Sequence, residues 1–82
     1  MDKIRVLIAD DHALVREGLR KLLGLSDNIE IVSEVGDGQG AINIARKDKP
    51  DVILMDVNMP GTNGIIATRV IKREMPSIHV IA

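Results

Sequence analysis

Two short, almost wholly apolar runs constrain this chain more than any other feature. "IRVLIAD" (Ile4 to Asp10) is rich in β-branched residues, and "DVILMD" (Asp51 to Asp56) is the most hydrophobic run of the sequence. Short runs that are apolar at both alternating sets of positions read as strands buried on both faces, the pattern of a parallel sheet covered by helices. A parallel sheet needs crossover segments between its strands, and the intervening sequence supplies them. Val15, Leu19, Leu22 and Leu23 fall at i, i+4, i+7 and i+8, one apolar stripe of a helix, with Arg16, Glu17, Arg20 and Lys21 around the rest. "GLSDN" (Gly24 to Asn28) ends that helix with turn chemistry.

The remainder keeps the same rhythm. "IEIVSEV" (Ile29 to Val35) alternates apolar and polar residues, as a half-exposed edge strand does. "GDGQG" leads into the helical "AINIARKDK", which Pro50 stops. "NMPGTNG" is a loop, and "IIATRVIKREM" places Ile66, Ala67, Val70 and Ile71 on one stripe before Pro76. "IHVIA" begins a fourth strand. The strands are expected at about 3–9, 29–35, 51–56 and 78–82. The resulting β-α-β-α-β-α-β order, with helix-length connections, implies right-handed crossovers and a parallel α/β sheet.

Composition excludes several function classes. The 82 residues make one small domain or a piece of one, with 45% hydrophobic residues and no Phe, Tyr or Trp. The core is therefore aliphatic, and the aromatic platforms on which single-stranded nucleic acids stack are missing. A net charge of -1 provides no basic face for a phosphate backbone. Without cysteine there is no disulfide framework and no thiolate metal site. Asp2, Lys3 and Arg5 break up any signal-like run, and no apolar stretch approaches the roughly 20 residues that span a bilayer. The expectation is a cytoplasmic domain with no membrane partner.

The chemistry sits where such a sheet places it. Open α/β sheets bind ligands outside the carboxyl ends of their strands. Asp10 and Asp11 follow the first strand and Asp56 ends the third. If those strands are neighbours, three carboxylates converge, and their repulsion is offset by a hard divalent cation such as Mg²⁺, which takes oxygen ligands and keeps several waters. The plainer alternative is that Asp10 and Asp11 cap the following helix and Asp56 closes a strand before a turn. His12 and His79 are the only histidines, and His12 starts a helix beside the acid pair.

"GDGQGA" (Gly36 to Ala41) competes, because it fits G-x-G-x-x-[GA] after a strand with Asp56 about 20 residues on. A dinucleotide reading is disfavoured because a complete strand and helix precede the motif and Asp37 would repel a pyrophosphate. No P-loop, H-E-x-x-H or nucleophile triad occurs.

"VLIADDHALVREGLRKLL" and "DVILMDVNMPGTNG", set in this β/α rhythm, resemble the receiver domain of bacterial two-component response regulators. "ADDHALVREGL" resembles the NarL/FixJ subfamily, whose members usually carry a LuxR-type helix-turn-helix. The resemblance implies a flavodoxin-like three-layer fold with strand order 2-1-3-4, and makes residues 1–82 the N-terminal part of a receiver domain, ending after the fourth strand. It implies that Asp56 accepts a phosphoryl group from a sensor histidine kinase. Asp11 and Asp56 match direct Mg²⁺ ligands, Asn58 matches the position whose backbone carbonyl binds the metal, and Asp10 matches an acid that reaches it through water. Pro60 and Gly64 shape the loop after the acceptor. The family's Ser or Thr beyond the fourth strand, and its Lys at the end of a fifth, have no counterpart before Ala82. Gly38 and Gly40 replace an acidic-Ala pattern, and inside a helix each would weaken it by roughly 1 kcal/mol.

The expected role is a phosphorylation switch rather than an enzyme in the ordinary sense, controlling transcription through a DNA-binding output domain in a longer parent. The rivals are a non-phosphorylated interaction module on the same fold and a dinucleotide-binding fragment. With a fourth strand left as an unpaired apolar edge, the 82-residue chain is expected to dimerise, exchange segments or stay partly molten.

Overall fold

The computed structural model describes residues 2–82. Its elements are β1 (Ile4–Ala9), α1 (Ala13–Leu23), β2 (Ile29–Val35), α2 (Gly38–Asp48), β3 (Val52–Met55), α3 (Gly64–Glu74) and β4 (His79–Ile81). The four strands form one sheet in the order β2-β1-β3-β4, and every pairing is parallel. This is the α/β architecture and strand order expected from the sequence. The β1–β2 register shifts once, between Val6 and Leu7.

β2 spans Ile29–Val35 as expected, while β1, β3 and β4 are each one or two residues shorter than the apolar runs suggested. Asp51 and Asp56 fall outside β3, yet the Asp51 amide donates to the Arg5 carbonyl and the Asp56 amide to the Ala9 carbonyl, both at 2.8 Å. Both residues thus remain anchored to β1 at the strand ends. β1 behaves as predicted: Val6, Leu7, Ile8 and Ala9 are all buried.

The core is aliphatic and lies mainly on one side of the sheet. Leu7, Ala9, Ile53 and Met55 point to that side and meet Ala41, Ile42 and Ala45 of α2 and Ala67 and Ile71 of α3. Successive strand residues alternate in direction, so Val6, Ile8 and Leu54 face the other side. There α1 lies against β1 and β2, and its Leu19 shares an open hollow of about 250 Å³ with Leu54 and Ile81.

The expected α1 stripe is covered only in part. No residue of α1 is buried, and Leu22 is 64% exposed. The cause is geometric: α2 and α3 pack against each other as well as the sheet, whereas α1 has its face of the sheet to itself among the described residues.

Gly38 and Gly40 occupy the first turn of α2 rather than its interior. Asp37 is the N-cap, its side chain accepting from the Gly40 amide at 2.6 Å. Gly38 is buried because α2 starts against the loop between β3 and α3. Its amide donates to the Thr62 carbonyl at 3.1 Å, and a Cβ at Gly38 would overlap that carbonyl.

Candidate functional site

The carboxyl ends of β1 and β3 are neighbours, since Ala9 pairs with Met55. Asp10 follows Ala9 directly, and its amide donates to the Val35 carbonyl at 3.0 Å, extending the sheet by one step. Asp56 follows Met55 and is tied to Ala9 in the same way. The strand ends therefore bring Asp10, Asp11 and Asp56 together. Ligand atoms of these three residues and of His12 all lie within 4.8 Å of one another. The side chains of Asp10, Asp11 and Asp56 are 16%, 30% and 19% exposed, so the cluster is sheltered but open to solvent.

Hydrogen bonds fix each carboxylate differently. Asp10 Oδ1 accepts from the His12 amide at 2.8 Å, a local turn that launches α1. Asp56 Oδ1 accepts from the Asn58 amide at 3.0 Å, a second such turn. His12 Nδ1 lies 2.9 Å from Asp10 Oδ1, 3.0 Å from Asp11 Oδ1 and 3.9 Å from Asp56 Oδ2. The hydrogen bond to Asp10, then the Asp11 charge, hold the His12 imidazole above its ordinary pKa. The sequence placed His12 at the edge of the acid pair; the structure puts its ring among all three carboxylates.

The loop after Asp56 is shaped by glycine at two points. Gly61 has φ +68°, the left-handed region that glycine enters without steric cost. Gly64 starts α3 against the Asp56 carbonyl, which a Cβ would overlap. Asn63 caps α3 by accepting from the Ile66 amide at 3.0 Å.

The sequence reading missed Arg16, which it treated as part of a polar helix face. Its Nη1 donates to the Asp10 carbonyl at 2.6 Å, bracing the end of β1 against α1. An arginine one turn inside a helix that follows an acid pair is the only signal, and it also fits an ordinary solvent-facing residue. The dinucleotide rival loses its cradle, because the amides of Gly38 and Gly40 are already bonded to Thr62 and Asp37.

The donor set suits a hard divalent cation. Three carboxylates around one space repel each other unless a positive charge joins them, and among the described residues His12 is the only basic side chain ion-paired to them.

Comparison with known proteins settles the family. The family model for the response regulator receiver domain matches residues 6–82. The chain belongs to the response regulator receiver domain family. This receiver domain is 42% identical over 80 residues to the transcriptional regulatory protein DegU of Brevibacillus brevis, covering 98% of this chain and 34% of that protein. It is 47% identical over 79 residues to the response regulator GacA of Pseudomonas viridiflava, covering 96% of this chain and 37% of that one. The receiver spans about a third of these curated relatives. Among solved structures, it superposes on the signal receiver domain of the putative response regulator NarL from Mycobacterium tuberculosis with a TM-score of 0.92 and 35% identity, covering 98% of this chain and 64% of that one. The receiver is a signalling module of two-component systems, and no described helix is long and apolar enough to cross a membrane.

Proposed function

We propose that Asp56 is the phosphoryl acceptor of this receiver, taking the group from a sensor histidine kinase with Mg²⁺ held by Asp10, Asp11, Asp56 and the Asn58 carbonyl. The observation that carries the reading is the convergence of three carboxylates from two adjacent parallel strand ends. A capping role for each acid alone does not account for their meeting in one space.

Phosphoryl transfer asks a protein for positioning and charge neutralisation rather than covalent chemistry. Bound Mg²⁺ would supply neutralisation of charge on the phosphoryl oxygens. The chain's own residues supply the rest. The Asn58 amide fixes the rotation of the Asp56 carboxylate through Oδ1. One Asp56 oxygen attacks phosphorus as the bond to the kinase histidine nitrogen breaks, leaving an acyl phosphate on Asp56. The Ala9 carbonyl holds the acceptor's backbone at the sheet, so the nucleophile does not drift. Asp10 and Asp11 hold the cation side of the space.

In a longer parent, the phosphorylated receiver would control a DNA-binding output domain in transcription, the role suggested by the names of its relatives. The work would take place in the cytoplasm, and loss of the phosphoryl group by hydrolysis at the same site would reset the switch. Incubation of the full-length parent with a small phosphodonor and Mg²⁺ tests the reading. Label should appear as an acyl phosphate and be lost in Asp56→Asn. Equal labelling of that variant would move the acceptor elsewhere and favour the interaction-module reading of this fold.

A further inference from the structure

Arg16 stands one turn inside α1, where its backbone amide donates to the His12 carbonyl at 3.1 Å. Long side chains of a helix lean back over the turn that precedes them. The guanidinium therefore lies over the end of β1, and the side chain is only 24% exposed. It does not pair with the three acids beside it. Its one ion pair among the described residues is with Glu34 of β2, Nε to Oε1 at 3.7 Å, and its Nη1 instead donates to the Asp10 backbone carbonyl at 2.6 Å.

Asp10 is thus held at three points. Its amide donates to the Val35 carbonyl at 3.0 Å, its Oδ1 accepts from the His12 amide at 2.8 Å, and its carbonyl accepts from Arg16. Asp11 lies between β1 and α1 and belongs to neither. A peptide unit is planar, so fixing the Asp10 carbonyl also fixes the direction in which the chain leaves for Asp11. The surroundings are close-set: a Cβ at Gly36 would stand 3.6 Å from Arg16 Nη1 and 4.0 Å from Asp11 Cα, so the guanidinium fills the angle between Asp11 and the end of β2.

We propose that Arg16 is a positioning residue of the cation site, its Nη1 setting the Asp10–Asp11 peptide plane and with it the aim of the Asp11 carboxylate. This rests on the reading that Asp10, Asp11 and Asp56 hold a divalent cation. Arginine suits the task better than lysine, because its planar fork meets the carbonyl with one arm while another faces Glu34. The guanidinium charge, taken alone, acts in the opposite sense, since a positive group near the acids repels a cation. Positioning and charge therefore predict opposite signs when Arg16 is removed.

Calorimetric titration of the full-length parent with MgCl₂ reads that sign. Arg16→Ala should weaken Mg²⁺ binding about tenfold, the lower end of the range for groups that orient metal ligands. Arg16→Lys, which keeps the charge but not the fork, should recover part of the loss. Glu34→Gln, which removes the ion pair and leaves the carbonyl bond, should stay within about threefold of the parent. In acyl-phosphate labelling, Arg16→Ala should raise the Mg²⁺ concentration needed for half-maximal labelling while keeping the rate at saturating Mg²⁺ near the parent's. In the metal-free protein, the Asp10 carbonyl carbon resonance should move upfield in Arg16→Ala and stay in place in Glu34→Gln. The inference is overturned if Arg16→Ala binds Mg²⁺ as tightly as the parent or more tightly, if Glu34→Gln weakens binding equally, or if Arg16→Ala lowers the amount labelled without moving the Mg²⁺ requirement. Asp11→Ala separates this from the underlying reading. If it abolishes Mg²⁺ binding while Arg16→Ala leaves binding intact, only the role of Arg16 fails. If it changes nothing, the cation site itself fails.

Discussion

At the scale of single residues, Gly38 shows how a local rule can be reversed by one contact. Helix propensity favours alanine over glycine by about 1 kcal/mol, which argues for replacing a glycine in the first turn of α2. The structure argues the other way, because a Cβ at Gly38 meets the Thr62 carbonyl. Gly38→Ala should therefore destabilise the domain by about 1–3 kcal/mol, the range of overpacked sites, and loosen the loop that follows Asp56. Urea unfolding checks the sign; a stabilised variant would mean that the loop yields freely. This glycine could not be understood from the sequence, where its partner Thr62 lies far along the chain and carries no pattern of its own. The convergence of Asp10, Asp11 and Asp56 was legible for the opposite reason: they follow two apolar runs whose burial fixes the strands, and the strand ends fix the acids.

At the scale of elements, the three helices are held by different means. α2 and α3 share the buried cluster, and the pair is clasped at its surface by Arg46, whose Nε and Nη2 donate to both oxygens of Glu74 at 2.8 and 2.7 Å. The hydrogen bond from Arg46 is the leading cause of a Glu74 carboxyl pKa below its ordinary value. A carboxyl with a depressed folded pKa contributes stability that is present above its unfolded value near 4.5 and is lost as pH falls through the folded value. Arg46→Ala should therefore flatten the acid limb of the stability–pH profile while leaving its neutral-to-alkaline part nearly parallel to the parent. Being exposed, the pair contributes modestly, and high salt should mimic the variant. α1 invites a different change. Gly18 sits inside this helix, and beyond the helix's own backbone no atom lies within 4 Å of the place a methyl group would take. Gly18→Ala should therefore stabilise by about 0.5–1 kcal/mol, read as a rise in the urea midpoint. Periodicity announced all three helices. It did not announce how far each would be covered, because coverage depends on which helices share a face, and that is a property of the assembled sheet.

At the scale of the whole molecule, the sheet has one well-protected side and one thinly covered side. β4 pairs with β3 alone and carries Ile81 at 58% exposure, next to the hollow shared with Leu54 and Leu19. Exposed strand edges and contiguous apolar patches favour association. The 82-residue chain on its own should therefore self-associate at micromolar concentration in sedimentation equilibrium, and Ile81→Lys should shift it toward monomer. A sharp monomer with cooperative unfolding would show that the uncovered side is tolerated. The same asymmetry reaches the acid cluster, because its residues belong to unequal partners. Asp56 hangs from β3, whose Ile53 and Met55 are buried in the core, while Asp11 and His12 belong to the approach to α1, a helix with no buried residue. A cation gripping both sides would act as a rivet between a stiff plate and a loose one. Its signature would then be slowed amide hydrogen exchange along Ala13 to Leu23, running well past the acids that precede the helix, while β3, whose Ile53 and Met55 are already buried, would report little.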